Sequence, residues 1–115
     1  MTVIDKADDG KLRWDLLPVA EIEELVKVIN MGAEKYAPNN WQNMPNATDR
    51  LYAALLRHLV DWRKGSKIDQ ESGLNHLAHV LCNALFLLWF DRNKGGRCND
   101  VQEEVEPKGI YAFVK

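Results

Sequence analysis

All three histidines of the chain fall between positions 58 and 79. His58 is followed three residues later by Asp61, His76 three residues later by His79, and Asp69 and Glu71 lie between the two pairs. Side chains three apart on a helix share a face. Each pair therefore presents two possible metal ligands from one helix, and the short acidic segment between them lets the helices fold against one another. Helical proteins hold divalent cations in their cores in this way. The expectation is a metal site drawn from His58, Asp61, Glu71, His76 and His79.

Each of these residues also has a plainer reading. His76 and His79 share a helical stripe with Asn83, Phe86 and Phe90, and as core histidines they would need hydrogen-bond partners. Leaving a buried polar group unpaired costs about 1–3 kcal/mol, so three such groups on one edge of an apolar helix are easier to explain by a site than by packing. Asp61 beside Arg57 and Lys64 fits a weak surface ion pair. Glu71 fits an acid favoured by a helix N-terminus, and Asp69 fits a turn. Singly the signals are weak; their weight lies in convergence.

The elements that must position these groups are helical. Apolar residues Ile22, Leu25, Val26, Ile29 and Ala33 recur at helical spacing from Val19 to about Tyr36, after Pro18, a residue suited to a first turn. Gly32 is a possible end or kink. Ala37-Pro38-Asn39-Asn40 reads as a turn, continued by Trp41 to Pro45. A second helix, capped by Thr48 or Asp49, runs to about Lys64 and stops at Gly65. Its apolar arc of Leu51, Tyr52, Leu55, Leu56, Leu59 and Trp62 leaves His58 at the rim of the core. Residues 65–73 form a polar connection, and a third helix runs from near Leu74 to about Arg92, ended by Gly95-Gly96. Because this helix is apolar on every side it must be covered on every side. Three helices provide too little cover, so an oligomer is expected. The apolar end Ile110-Tyr111-Ala112-Phe113-Val114 is read as a short strand or an arm packed on a neighbour.

Composition narrows the classes. At 115 residues the chain is expected to be one domain, 1–115, with an N-terminal arm 1–18 and a C-terminal tail 93–115. A formal charge of −2 lacks the basic excess that nonspecific nucleic-acid binding needs. Cys82 lies in an apolar run and reads as a buried thiol, and with Cys98 it forms no metal motif. The polar N-terminus shows no signal peptide. The longest apolar run, 77–90, is too short for a bilayer, so a cytoplasmic location is expected. Gly-rich phosphate loops, Gly-x-Ser-x-Gly turns and Cys-x-x-Cys pairs are missing, and neither Ser66 nor Ser72 has a recognised nucleophile setting beside a histidine.

Several short motifs, in order, resemble a known family. Gly10-Lys11-Leu12-Arg13-Trp14-Asp15-Leu16-Leu17-Pro18, Gly32-Ala33-Glu34-Lys35-Tyr36, Asn40-Trp41, Arg57-His58-Leu59 and the run Asp69 to His79 are similar to the phage and prophage dATP/dGTP diphosphohydrolases. That family looks like a divergent branch of the MazG-like all-α nucleotide pyrophosphohydrolases. The resemblance implies an all-α bundle of three to four helices completed by oligomerisation, as a dimer or a tetramer. It also implies hydrolysis of a purine (deoxy)nucleoside triphosphate, dGTP or dATP, to the monophosphate and pyrophosphate. MazG-like proteins hold Mg²⁺ with Glu-x-x-Glu and Glu-x-x-Asp; here His58/Asp61 and His76/His79 take those places. Imidazoles in place of carboxylates shift preference from Mg²⁺ toward Mn²⁺, Co²⁺ or Zn²⁺. In this reading Glu71, Asp69 and His58 form the catalytic pool. Lys11, Arg13, Lys35 and Arg57 grip phosphates, and Trp41 with Asn40 or Gln42 takes the base. Asn83 is counted among the substrate contacts, while Trp41 is equally placed to anchor its loop. Two other classes stay open: a phosphohydrolase of different regiochemistry, and a noncatalytic helical interaction protein.

Overall fold

The computed structural model describes residues 9–94. The chain is all-α. Helix α1 spans Val19–Lys35, α2 Ala47–Arg63 and α3 His76–Lys94. Single 3-10 turns at Trp14–Leu16 and Asn40–Asn43 precede α1 and α2. The expected Gly95-Gly96 stop, Cys98 and the apolar C-terminal end lie outside the described residues.

Helix α3 is the central element, packed most extensively on α2 and also on α1. The reason is its composition. Every other helix has one apolar stripe to bury: Leu25 and Val28 on α1, Leu51 and Ala54 on α2. These stripes meet Ala78, Cys82, Phe86 and Phe90 of α3 in one core. Gly32 neither ends nor breaks α1; it is buried, and the helix continues for another turn to Lys35. The helix closes at Tyr36, whose N–H donates to the Gly32 carbonyl at 3.0 Å, and Pro38 follows within two residues. A residue before proline is driven out of the helical region.

Two boundaries differ from the sequence reading. The α2 cap is Asn46, in the left-handed region at φ 55°, and neither Thr48 nor Asp49 serves. Asparagine tolerates that conformation better than other non-glycine residues, and it allows the chain to turn sharply out of Met44-Pro45. Helix α3 begins at His76 because Asn75 caps it: the Asn75 Oδ1 accepts the Leu77 N–H at 2.8 Å. The C-terminus of α2 closes as expected at Gly65. Ser66 N–H reaches the Asp61 carbonyl and Gly65 N–H the Trp62 carbonyl, both at 3.0 Å, with Gly65 at φ +109°. This pair of bonds is a Schellman closure.

The surface keeps an apolar remainder. Leu81, Leu85 and Leu88 on the outer side of α3 are 42–54% exposed, and Tyr52, Leu56 and Val60 form a similar stripe on α2. Among the described residues no helix is long and apolar enough to cross a membrane.

Candidate metal centre

The connection between α2 and α3 is a built structure. Ile68 and Asn75 form an antiparallel bridge, Asp69 N–H donates to the Leu74 carbonyl at 2.8 Å, and His76 N–H donates to the Lys67 carbonyl at 2.8 Å. Between these struts Asp69 folds the chain over itself. Its Oδ2 accepts the Ser72 N–H at 2.9 Å, and its carbonyl accepts the Gly73 N–H at 2.7 Å. Gly73 sits at φ +76°, where a side chain would be strained. The loop thus aims the Asp69 carboxylate inward while fixing where α3 starts, and with it the position of His76.

All three histidines converge there. His58 lies on the buried face of α2 with Ala47, Leu51 and Ala54, while His76 and His79 lie on the buried face of α3. None is more than 8% exposed, so His58 is deeper than the core rim expected from its arc. The Nδ1 atoms of His58 and His76 are 2.9 Å apart, one imidazole donating to the other. His79 lies flat on His58, and its Nε2 is 2.7 Å from the Ser72 hydroxyl and 3.6 Å from Asp69 Oδ2. Asn83, next on the stripe, donates its Nδ2–H to the His79 carbonyl at 3.0 Å.

Electrostatics keep this cluster in ligand form. Burial pushes the His58 pKa down to about 4; the nearby His79 and His76 add to that, and Asp69 and Asp61 oppose it. Burial also lowers His79, against the pull of Asp69. Burial acts to raise the Asp69 pKa, but hydrogen bonds from Ser72 and the neighbouring imidazoles outweigh it and leave the carboxyl below its ordinary range. At neutral pH His58 and His79 are therefore neutral imidazoles beside an ionised Asp69.

Among the described residues, His58, Asp69 and His76 each present a ligand atom within 4.8 Å of the other two. A first-row metal with bonds near 2.1 Å sets adjacent ligand atoms about 3.0–3.4 Å apart, so the 2.9 Å His58–His76 pair needs little movement to hold one. Two imidazoles and a carboxylate favour transition metals over Mg²⁺. The residues fit a divalent cation.

The other sequence candidates fall at different distances from this cluster. Asp61 is exposed on the solvent side of α2, beside a shallow depression it shares with Leu56, Arg57 and Val60. Glu71 is half-exposed on the loop, 4.0 Å from Lys35 Nζ, which brings the end of α1 to the edge of the site. Lys11 and Arg13 precede the other end of α1, a helix about 25 Å long, and Arg13 pairs with Asp15 at 2.8 Å. Trp41 is stacked on Phe86 at 3.8 Å and meets Trp89 and Phe90 edge-on. It anchors its loop to α3, and Asn40 lines with it a crevice of about 20 Å³ against α1. Gln42 faces a separate open groove with Thr48, Phe90 and Lys94. Cys82 is a buried free thiol whose pKa burial pushes up to about 12, an inert core residue. Ser72, which has no nucleophile setting in the sequence, enters the site through structure alone: its N–H bonds the Asp69 carboxylate and its hydroxyl meets His79.

A buried cluster of imidazoles and one carboxylate, held between two helices and a capped loop, places in an all-α protein a group of residues that could hold a metal ion. The chain belongs to the dATP/dGTP diphosphohydrolase N-terminal family, whose sequence profile matches residues 3–100. A relative from Salmonella phage PMBT28, "dATP/dGTP diphosphohydrolase", is 34% identical over 89 residues, covering 77% of this chain. The chain spans 30% of that relative's length. No solved structure matches it.

Proposed function

We propose that this chain hydrolyses purine (deoxy)nucleoside triphosphates, dGTP or dATP, to the monophosphate and pyrophosphate with a divalent metal. The observation that carries the reading is the convergence of His58, Asp69 and His76 within 4.8 Å in a buried cluster. The activity named for the Salmonella phage relative supplies the substrate class. His58, His76 and Asp69 hold the metal. A bound Mn²⁺, Mg²⁺, Co²⁺ or Zn²⁺ supplies Lewis-acid polarisation of the phosphoryl oxygens. Glu71, half-exposed on the same loop, is suited to take a proton from the attacking water. As the water oxygen bonds to the α-phosphorus, the bond to the bridging oxygen breaks and pyrophosphate leaves. Lys35, adjacent to Glu71, offers a cation to the phosphates, where charge must be balanced.

The base is assigned to the Asn40–Trp41 turn. Phe86, on which Trp41 stacks, lies two turns beyond His79 on α3, about 10 Å. That separation lets phosphates and base of one nucleotide reach both places. A purely associative role does not explain why four polar side chains are buried among the described residues. The exposed Leu81, Leu85 and Leu88 support assembly into a dimer or tetramer beside catalysis. Any contact that Lys11 or Arg13 makes with phosphates at this site is then made across subunits, given their place at the far end of α1.

Chromatography of products from a nucleotide panel, with Mn²⁺ and with Mg²⁺, tests the reading. Expected are dGMP and dAMP with pyrophosphate, formed faster than dCMP and dTMP. Free triphosphate with nucleoside, or no preference for purines, overturns it.

A further inference from the structure

We propose that the Ser72 hydroxyl holds His79 out of the metal's ligand set, so that the centre keeps positions open for substrate and water. The inference rests on the metal-site reading above and concerns why three, rather than four, protein ligands converge. His79 Nε2 is 3.6 Å from Asp69 Oδ2, close enough for His79 to join a cation that Asp69 holds. Four protein ligands close a site structurally, whereas catalytic centres stop at three. Something must occupy His79, and Ser72 does.

The hydroxyl is itself held in place. Ser72 N–H donates to Asp69 Oδ2 at 2.9 Å, and Leu74 N–H donates to Ser72 Oγ at 3.2 Å. The same oxygen lies 2.7 Å from His79 Nε2, where it can donate its proton or accept one. The Nε2 position is engaged in either tautomer: as an acceptor it receives the serine proton, and as an N–H it has no lone pair for a metal. The parallel stacking of His79 on His58, with ring planes 8° from parallel, restricts the imidazole from swinging aside to offer Nδ1. Ser72 is therefore a positioning residue. It acts through His79 and does not touch the reacting atoms.

Removing the hydroxyl should have an unusual consequence: the metal binds more tightly while turnover falls. The experiment is Co²⁺ titration of the full chain, wild type against Ser72→Ala, Ser72→Thr and the double variant Ser72→Ala/His79→Ala, each checked by circular dichroism. Visible absorption reports coordination number directly. Ser72→Ala is expected to show a shifted visible spectrum, as a fourth protein ligand replaces water in the coordination shell, and about tenfold tighter binding, the scale of effects from groups that orient ligands. Ser72→Thr should keep the wild-type spectrum, and the double variant should revert to it. Unchanged or weaker Co²⁺ binding in Ser72→Ala, with an unchanged spectrum, overturns the proposal. Failure of the wild type to bind Co²⁺ or Mn²⁺ at all overturns the metal reading instead, so the two failures are distinct.

Discussion

His79 lies face to face with His58 across the α2–α3 contact, ring centroids 4.4 Å apart and planes 8° from parallel. Two imidazoliums are not compatible with that stacking in a site this buried, and a protonated ring would lose either its lone pair or its neighbour. The cluster therefore ties folding to histidine neutrality.

The first consequence is acid sensitivity of the metal-free protein. His58 has a folded pKa of about 4 against 6.5 for the free side chain, so between those values the unfolded chain binds more protons. Stability from neutral His58 is fully present above pH 6.5 and is lost as pH falls toward 4. The linkage relation gives about 2 kcal/mol lost between pH 7 and pH 5. Urea melts at the two pH values in EDTA measure it, and His58→Asn should flatten the slope.

Ligand substitutions separate binding from folding. His58→Ala, His76→Ala and Asp69→Asn should each lower kcat by roughly 100-fold or more and weaken metal binding by a similar factor, with helical circular dichroism retained. Asp61→Asn, on the solvent side of α2, should cost under tenfold. Equal damage from Asp61→Asn would bring that carboxylate back into the first choice of ligands. Isothermal titration with Mn²⁺ checks each variant.

Much of this was legible in residue order because helical periodicity is local. The stripe His76, His79, Asn83, Phe86, Phe90 is buried along its length, as its spacing predicts, and Gly65 stops α2 where a glycine should. The loop was not legible. Residues 65–73 read as a polar connection, whereas the bonds that organise them run from Lys67 to His76 and from Asp69 to Leu74, pairings with no sequence period. For the same reason the residue order marks Asp69 as a turn residue or a member of the catalytic pool, whereas its carboxylate lies within 4.8 Å of the His58 and His76 ligand atoms. The Asn46 cap was missed because its left-handed backbone follows from the path of Met44 and Pro45 rather than from capping chemistry.

Trp41 gives a test in which packing and recognition come apart. Its stacking on Phe86 and its edge contacts with Trp89 and Phe90 make Trp41→Ala destabilising by about 3 kcal/mol, the low end for a large aromatic. Trp41→Phe should recover most of that stability. If the turn also receives the base, both variants raise KM for every nucleotide, while Asn40→Ala leaves stability nearly unchanged and narrows the gap between purines and pyrimidines. Thermal melts and steady-state kinetics on the same preparations separate the two roles.

Assembly is tested most directly through the arm. Lys11 and Arg13 precede the end of α1 remote from Lys35, and Lys35 is the residue of that helix adjacent to Glu71. If the arm grips phosphates, it serves a neighbouring subunit's site, and Arg13→Ala and His58→Ala should complement one another. Each variant alone should be inactive. Mixed in equal amounts and allowed to exchange, they should recover about a quarter of wild-type activity, since half of the random dimers carry one intact site of two. Leu85→Glu, in the exposed apolar row of α3, should abolish the recovery and sediment as a 13.2 kDa monomer. Wild-type protein that sediments as a monomer at micromolar concentration, with full activity, would place the whole site in one chain and remove the arm from it.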